Sequence, residues 1–165
     1  MEHLDYEKTT LNYKVGDATE PVGKGNKIIC HICNDIGGWG RGFVLALSNK
    51  WKAPEDRYRS LGASNLTLGM FDLVQVEDDI WVANMVAQHD TRPNKVGVPP
   101  IRYGALENAL KGVAAVAKSY NATVHMPRIG TGLAGGDWDL IEKIIIKTLS
   151  NNCIKVTIYD LPKYK

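Results

Sequence analysis

No long apolar run, no excess of one charge and no disulfide-scale cysteine content occur in this 165-residue chain. The aliphatic stretches, Ile144-Ile145-Ile146 among them, fall far short of a bilayer span, so no membrane partner is expected. A net charge of +2 supplies no broad field for a polyanion, so no direct nucleic-acid groove is expected either. Three cysteines, a small and odd number, suit a reducing cytoplasmic compartment better than a disulfide scaffold. The opening residues Met1-Glu2-His3-Leu4-Asp5 are polar and acidic, with no apolar signal core behind them. Repeats, low-complexity tracts and linkers are missing as well, and residues 1–165 read as a single domain.

What is there alternates between strand and helix. A short strand is expected over Leu11–Val15, and residues 27–33 form an almost continuous apolar run of the kind covered on both faces of a sheet. Phe43 to Trp51 reads as a helix that Pro54 ends or kinks. Leu66 to Ala87 reads as a hairpin turning at Glu77-Asp78-Asp79. Residues 89–102, with Pro93, Pro99 and Pro100, read as a mobile loop. Leu106, Leu110, Val113 and Ala117 mark one face of a following helix. Then come a strand at 123–126, a helix from about Trp138 to Leu149 and a closing strand over 154–159. This order implies helices on the faces of a largely parallel sheet, made mixed by the hairpin.

Two glycine-rich segments lie where strands give way to helices. Asn34 to Gly42 holds four glycines among nine residues, more than a bare turn needs, with Arg41 either a phosphate donor or a solvated charge. Gly130-Thr131-Gly132-Leu133-Ala134-Gly135 satisfies G-x-G-x-x-G ahead of a helix, where glycines let main chain approach a diphosphate. Asp160 even stands at the end of the next strand. Only one strand follows that loop, too little for a dinucleotide-binding half, so phosphate binding is expected without hydride chemistry. Cys30 and Cys33 sit three apart within a strand and point to opposite faces, so they neither bridge nor share a metal ion. His31 and His125, inside apolar strands, read as core residues. No metal site and no cofactor are expected.

The strand ending in Cys33-Asn34-Asp35, the Gly37-Gly38-Trp39-Gly40-Arg41-Gly42 segment and the stretch Met126-Pro127-Arg128-Ile129-Gly130-Thr131-Gly132-Leu133 resemble a macrodomain. Within that superfamily the chain is most similar to the class holding the terminal ADP-ribose protein glycohydrolase and an ADP-ribose 1''-phosphate phosphatase. The resemblance runs from about Tyr13 to Leu161. It implies a three-layer α/β/α sandwich on a mixed, roughly six-stranded sheet. It also implies ADP-ribose, free or on a modified macromolecule, as the partner. Asp17 matches the carboxylate that accepts from the adenine amino group, though a strand-end Asp also serves a turn. Asn34 matches the residue near the distal ribose, and Gly38, Trp39, Gly40, Arg41 and Gly42 match the loop around that ribose. Gly130, Thr131, Gly132, Leu133, Ala134, Gly135 and Gly136 match the diphosphate loop. Tyr159 lines the adenine pocket or packs in the core.

Catalysis is where the chain departs from the resemblance. The glycohydrolase's lysine falls on Gln88 and its loop aspartate on Ala134, and an amide cannot form an imine with an opened ribose. Asp137 is the nearest replacement acid, with a helix N-cap as its plainer role. Asp35 is a second acid, and His89 is an acid–base group at the end of the hairpin. The expectation is an ADP-ribosyl hydrolase, with ADP-ribose 1''-phosphate phosphatase action and a non-catalytic ADP-ribose reader as alternatives. An NAD-dependent oxidoreductase is the outlier, since Trp39 and His89 crowd the space a nicotinamide needs.

Overall fold

The computed structural model describes residues 11–162, and its strands fall where the apolar runs place them. The acidic opening residues Met1 to Asp5 lie outside the described part. Six strands form, β1 (Leu11–Val15), β2 (Lys27–Asn34), β3 (Phe71–Glu77), β4 (Ile80–Gln88), β5 (Thr123–Pro127) and β6 (Val156–Asp160). They make one sheet in the order β1-β6-β5-β2-β4-β3. Only the β3–β4 hairpin pairs antiparallel; β1–β6, β6–β5, β5–β2 and β2–β4 are parallel.

Among the described residues four α-helices, α1 (Phe43–Lys50), α2 (Ala53–Leu61), α3 (Tyr103–Tyr120) and α4 (Trp138–Thr148), cover the two faces. Alternation along β2 divides the core. Ile28 and Cys30 pack with Leu106, Leu110 and Val113 of α3 and with Ile141 and Ile145 of α4. Ile29 and Cys33 pack with Val44 and Leu47 of α1 and with Tyr58 of α2. The result is the three-layer α/β/α sandwich on a mixed sheet. The two strand cysteines indeed serve opposite faces, and burial pushes the Cys30 thiol up to about 12 and raises Cys33 as well.

The structure differs from the sequence reading most at α2, a helix that reading did not contain. The helix beginning at Phe43 stops at Lys50, and Pro54 neither ends nor kinks it but stands in the first turn of α2, where its missing N–H costs no helical bond. The proline-rich segment after β4 is tied down at its far end. Pro100 C=O accepts from His89 N–H, Ala87 C=O from Arg102 N–H, and Ala134 C=O from Ile101 N–H. Asn94 closes the tip by accepting from the Val96 and Val98 N–H groups.

The sheet opens at its middle. β2 pairs with β5 at Lys27–Thr123, Ile28–Val124 and Ile29–His125, and then the ladder stops. β5 ends at Pro127, which has no N–H to continue it, while β2 runs on beside β4 as far as Asn34–Gln88. The helices after β2 and the helix after β5 lie on opposite faces. The fork is therefore a topological switch point, the place where open α/β sheets bind ligands.

Candidate functional site

A cleft of about 620 Å³ fills the fork between β2 and β5. The first glycine segment forms one lip, and Asn34 shapes it. Its Oδ1 accepts from the Ile36 and Gly38 N–H groups and from the Tyr58 hydroxyl, and its Nδ2 donates to Gly38 C=O. Asn34 thus spends its side chain on the loop. Burial holds the Tyr58 hydroxyl protonated, and it also donates to Asn34 C=O.

Trp39 fastens the same lip to the helices below. Its indole N–H donates to Ser48, whose hydroxyl donates to Glu55. Glu55 also accepts from Lys52 and Arg59, and Arg59 returns a bond to Trp39 C=O, closing a ring of contacts. Hydrogen bonds from Lys52, Arg59 and Ser48 hold the Glu55 carboxyl down to about 2. Gly42, at φ 77°, precedes α1 without a side-chain cap, and its C=O accepts from Leu45 N–H in the first turn.

The second glycine segment forms the opposite lip. Gly135 and Gly136 turn inward, donating their N–H groups to Gly132 C=O and Gly130 C=O. Gly130 to Ala134 line the cleft, whereas Gly135 and Gly136 do not. A Cβ on Gly136 would stand 2.6 Å from Gly130 oxygen, so only glycine lets the loop close. Arg128 supports it from the end of β5. Its guanidinium takes both Asp160 oxygens at 2.7 and 3.0 Å and lies 5.0 Å from the Tyr13 ring and 5.3 Å from the Trp138 ring. Tyr13 adds hydrogen bonds with Glu142 and Trp138.

The structure brings Asn34, Gly38 to Gly42, Gln88 and Gly130 to Ala134 together around one space. It adds lining residues that the sequence reading passed over: His31, Ile32 and Cys33 of the floor, Phe43 and Val44 of α1, Thr91 and Arg92 after β4, and Pro127 to Ile129. Thr91 and Arg92 carried a weak signal, two polar residues directly after a strand end. Among the described residues Arg41, Arg92 and Arg128 line the cleft, and no aspartate or glutamate does. Asp160 offsets Arg128, which leaves Arg41 and Arg92 as the cations for an anionic ligand.

Other expected site residues stand elsewhere. Asp17 lines a separate hollow of about 320 Å³ with Thr19, Glu20 and Lys50, and its Oδ1 accepts from the Thr19 N–H and hydroxyl. Tyr159 is buried, its hydroxyl accepting from Val22 N–H and contacting His125 Nδ1. Asp137 caps α4, accepting from Asp139 N–H at 2.9 Å. Asp35 and His89 meet each other outside the lining, with His89 Nδ1 2.7 Å from Asp35 Oδ2. Among the described residues no cluster of three or more His, Cys, Asp or Glu is placed to hold a metal ion. Among them also, no helix is long and apolar enough to cross a membrane.

A macrodomain protein from Streptomyces coelicolor is 46% identical to the chain and superposes with a TM-score of 0.81, over 91% of this chain and 98% of that one. The chain belongs to the macrodomain family. A protein of unknown function from Bacteroides thetaiotaomicron is similar to this macrodomain at 54% identity and a TM-score of 0.90, over 92% and 98% of the two chains. Mouse chromodomain-helicase-DNA-binding protein 1-like is 36% identical across all of this macrodomain, which spans only 19% of that protein's length. More remotely, an ADP-ribose 1''-phosphate phosphatase from Lodderomyces elongisporus is 26% identical over 84% of this chain and 92% of its own. Thermosipho africanus DarTG, solved in complex with ADP-ribose, shares the fold at 18% identity and a TM-score of 0.63, over 84% of this chain and 38% of that one. No family model matches the chain.

Proposed function

We propose that this macrodomain binds ADP-ribose in the fork between β2 and β5. The diphosphate lies against the main chain of Thr131 to Ala134, and the terminal ribose lies beneath Gly38 to Gly42. The observation that carries this reading is the lining itself, two glycine loops facing each other with arginines and, among the described residues, no carboxylate. Glycine main chain admits a diphosphate at close range, and the missing carboxylates spare it repulsion. A volume of about 620 Å³ is in the range of small-molecule and cofactor sites. The ADP-ribose complex of the distant fold relative supports the same ligand.

The activity we attach to the cleft is hydrolysis of an ADP-ribosyl linkage, with Asp35 and His89 as acid–base pair for a substrate reaching beyond the lip. Asp137 is left as a cap, because its carboxylate is turned to the first turn of α4. Phosphate release from ADP-ribose 1''-phosphate is the second reading, favoured by the similarity to the Lodderomyces elongisporus phosphatase. Calorimetry tests the binding step. ADP-ribose is expected to bind about tenfold or more tightly than AMP, and the absence of saturable ADP-ribose binding sinks the reading. Release assays on ADP-ribosylated protein or nucleic acid and on ADP-ribose 1''-phosphate then decide the chemistry. Tight binding without either product makes the domain a reader.

A further inference from the structure

The unpaired positive charge of the cleft stands at one end of it. Arg128, beside the second glycine segment, is held by both Asp160 oxygens. Arg41 and Arg92 line the same cleft and are exposed, and among the described residues neither side chain has a hydrogen bond or an ion pair. The carboxylates nearest to them along the chain are engaged elsewhere. Asp35 is bonded to His89 and to Asp90 N–H, and Asp90 accepts from Thr91 N–H.

Both arginines belong to the first lip. Arg41 lies within it, between Gly40 and Gly42, two residues past the anchored Trp39. Arg92 approaches the lip from the end of β4. A Cβ on Gly38 would lie 3.6 Å from Thr91 Cγ2, so the residue before Arg92 sits against the glycine that Asn34 holds. Two separate segments thus bring a free guanidinium to the same side of the cleft.

The charge of ADP-ribose does not match that placement. Its negative charge is on the diphosphate, which lies against Thr131 to Ala134, and its terminal ribose is neutral. Main-chain N–H groups hold a diphosphate without a cation. Two guanidiniums beside the ribose therefore have nothing on the ligand to neutralise. A guanidinium fork matches phosphate oxygens, in charge and in spacing, better than it matches a sugar hydroxyl.

We propose that Arg41 and Arg92 form an anion subsite beyond the ADP-ribose footprint, which takes a phosphate group carried by the terminal ribose. This rests on the ADP-ribose reading and narrows its ligand to ADP-ribose phosphorylated at that sugar. A phosphate monoester, close to doubly charged at neutral pH, suits two cations. The pair sets specificity and takes no part in bond breaking.

The test compares the affinities of ADP-ribose and ADP-ribose 1''-phosphate by displacement of fluorescent ADP-ribose. Phosphate release is followed in parallel, so that only intact ligand is scored. The phosphorylated ligand is expected to bind about tenfold more tightly, a preference that shrinks as salt is raised. Arg41→Ala and Arg92→Ala are each expected to cut the preference to about threefold or less and to move ADP-ribose itself less than about twofold. Lys95→Ala removes an exposed cation of the same segment that does not line the cleft, and is expected to leave the preference intact. Equal affinities for the two ligands, with ADP-ribose saturably bound, overturn the inference and spare the binding reading. A preference kept in both arginine variants, or lost equally in Lys95→Ala, also overturns it, the latter because general charge then does the work. If neither ligand displaces the probe, the binding reading itself falls.

Discussion

His89 Nδ1 stands 2.7 Å from Asp35 Oδ2, joining the residue after β4 to the residue after β2. Asp35 also accepts from the N–H of Asp90, a residue held at φ 63°. Burial pushes the Asp35 carboxyl up, but the bonds from His89 and Asp90 outweigh it and hold the group below its ordinary value. If the pair acts on the substrate, Asp35→Asn lowers linkage hydrolysis by about a hundredfold and changes ADP-ribose affinity by less than about twofold. Single-turnover release beside calorimetry measures both, and full activity in the variant removes the pair from the chemistry. A depressed carboxylate contributes stability above its unfolded value of about 3.9 and loses it as pH falls further. The same variant should therefore flatten part of the acid limb of unfolding below about pH 4.

Gly40 and Gly132 line the cleft, and a Cβ at either meets nothing within 4 Å. Neither has the positive φ that would strain a larger residue. Gly40→Glu and Gly132→Glu should each abolish ADP-ribose binding by placing a carboxylate beside the diphosphate or ribose, with thermal midpoints nearly unchanged. Binding that persists in both variants sends the ligand elsewhere.

Gly136 gives the opposite result. An added Cβ lies 2.6 Å from Gly130 oxygen and 2.8 Å from Ile141 Cδ1, and backbone cannot yield as a flexible side chain does. Gly136→Ala should cost about 1–3 kcal/mol or more of stability and weaken the ligand as the loop opens. Urea unfolding measures the first effect, and a variant as stable as the parent contradicts the packing.

Two buried imidazoles make the fold acid-sensitive. Burial depresses His31 to about 4 and, with help from Lys27, His125 to about 4. The unfolded chain binds protons on both near pH 6.5, so their contribution is fully present above that pH and is lost as pH falls toward 4. Each shift corresponds to about 3 kcal/mol at the acid end. Melting temperatures should fall steeply between pH 6.5 and 4.5, and His125→Gln should make that fall shallower. An equal slope in the variant argues against a neutral His125.

Asp137 offers a clean separation of stability from chemistry. As the cap of α4, Asp137→Ala should cost about 1 kcal/mol and leave turnover within about twofold of the parent. A turnover loss well beyond the stability effect returns Asp137 to the list of acids.

The strands and both glycine loops were legible because β-branched runs and glycine clusters act locally. Pro54 was misread because the same residue stops one helix or starts another, and only packing decides; in α2 just Pro54 and Tyr58 are buried. His31 looked like core and is core, yet it also floors the cleft, since that depends on where β2 loses a partner almost a hundred positions away in the chain. Matching residues by type named Asn34, Tyr159 and Asp17 without their bonding. Asn34 lines the cleft and bonds its own loop, Tyr159 bonds Val22 and His125, and Asp17 bonds Thr19. Such bonding is fixed by side-chain direction, which a one-dimensional pattern does not carry.

Trp39 and the ring through Ser48, Glu55 and Arg59 change what the first lip is. Four glycines between Asn34 and Gly42 would leave a free segment many shapes to lose on meeting a ligand. Anchored at its middle, the lip surrenders little of that freedom at the moment of association. The pocket is preorganised, so cutting the anchor with Ser48→Ala should appear as a less favourable binding entropy, with every ligand-facing atom left in the chain.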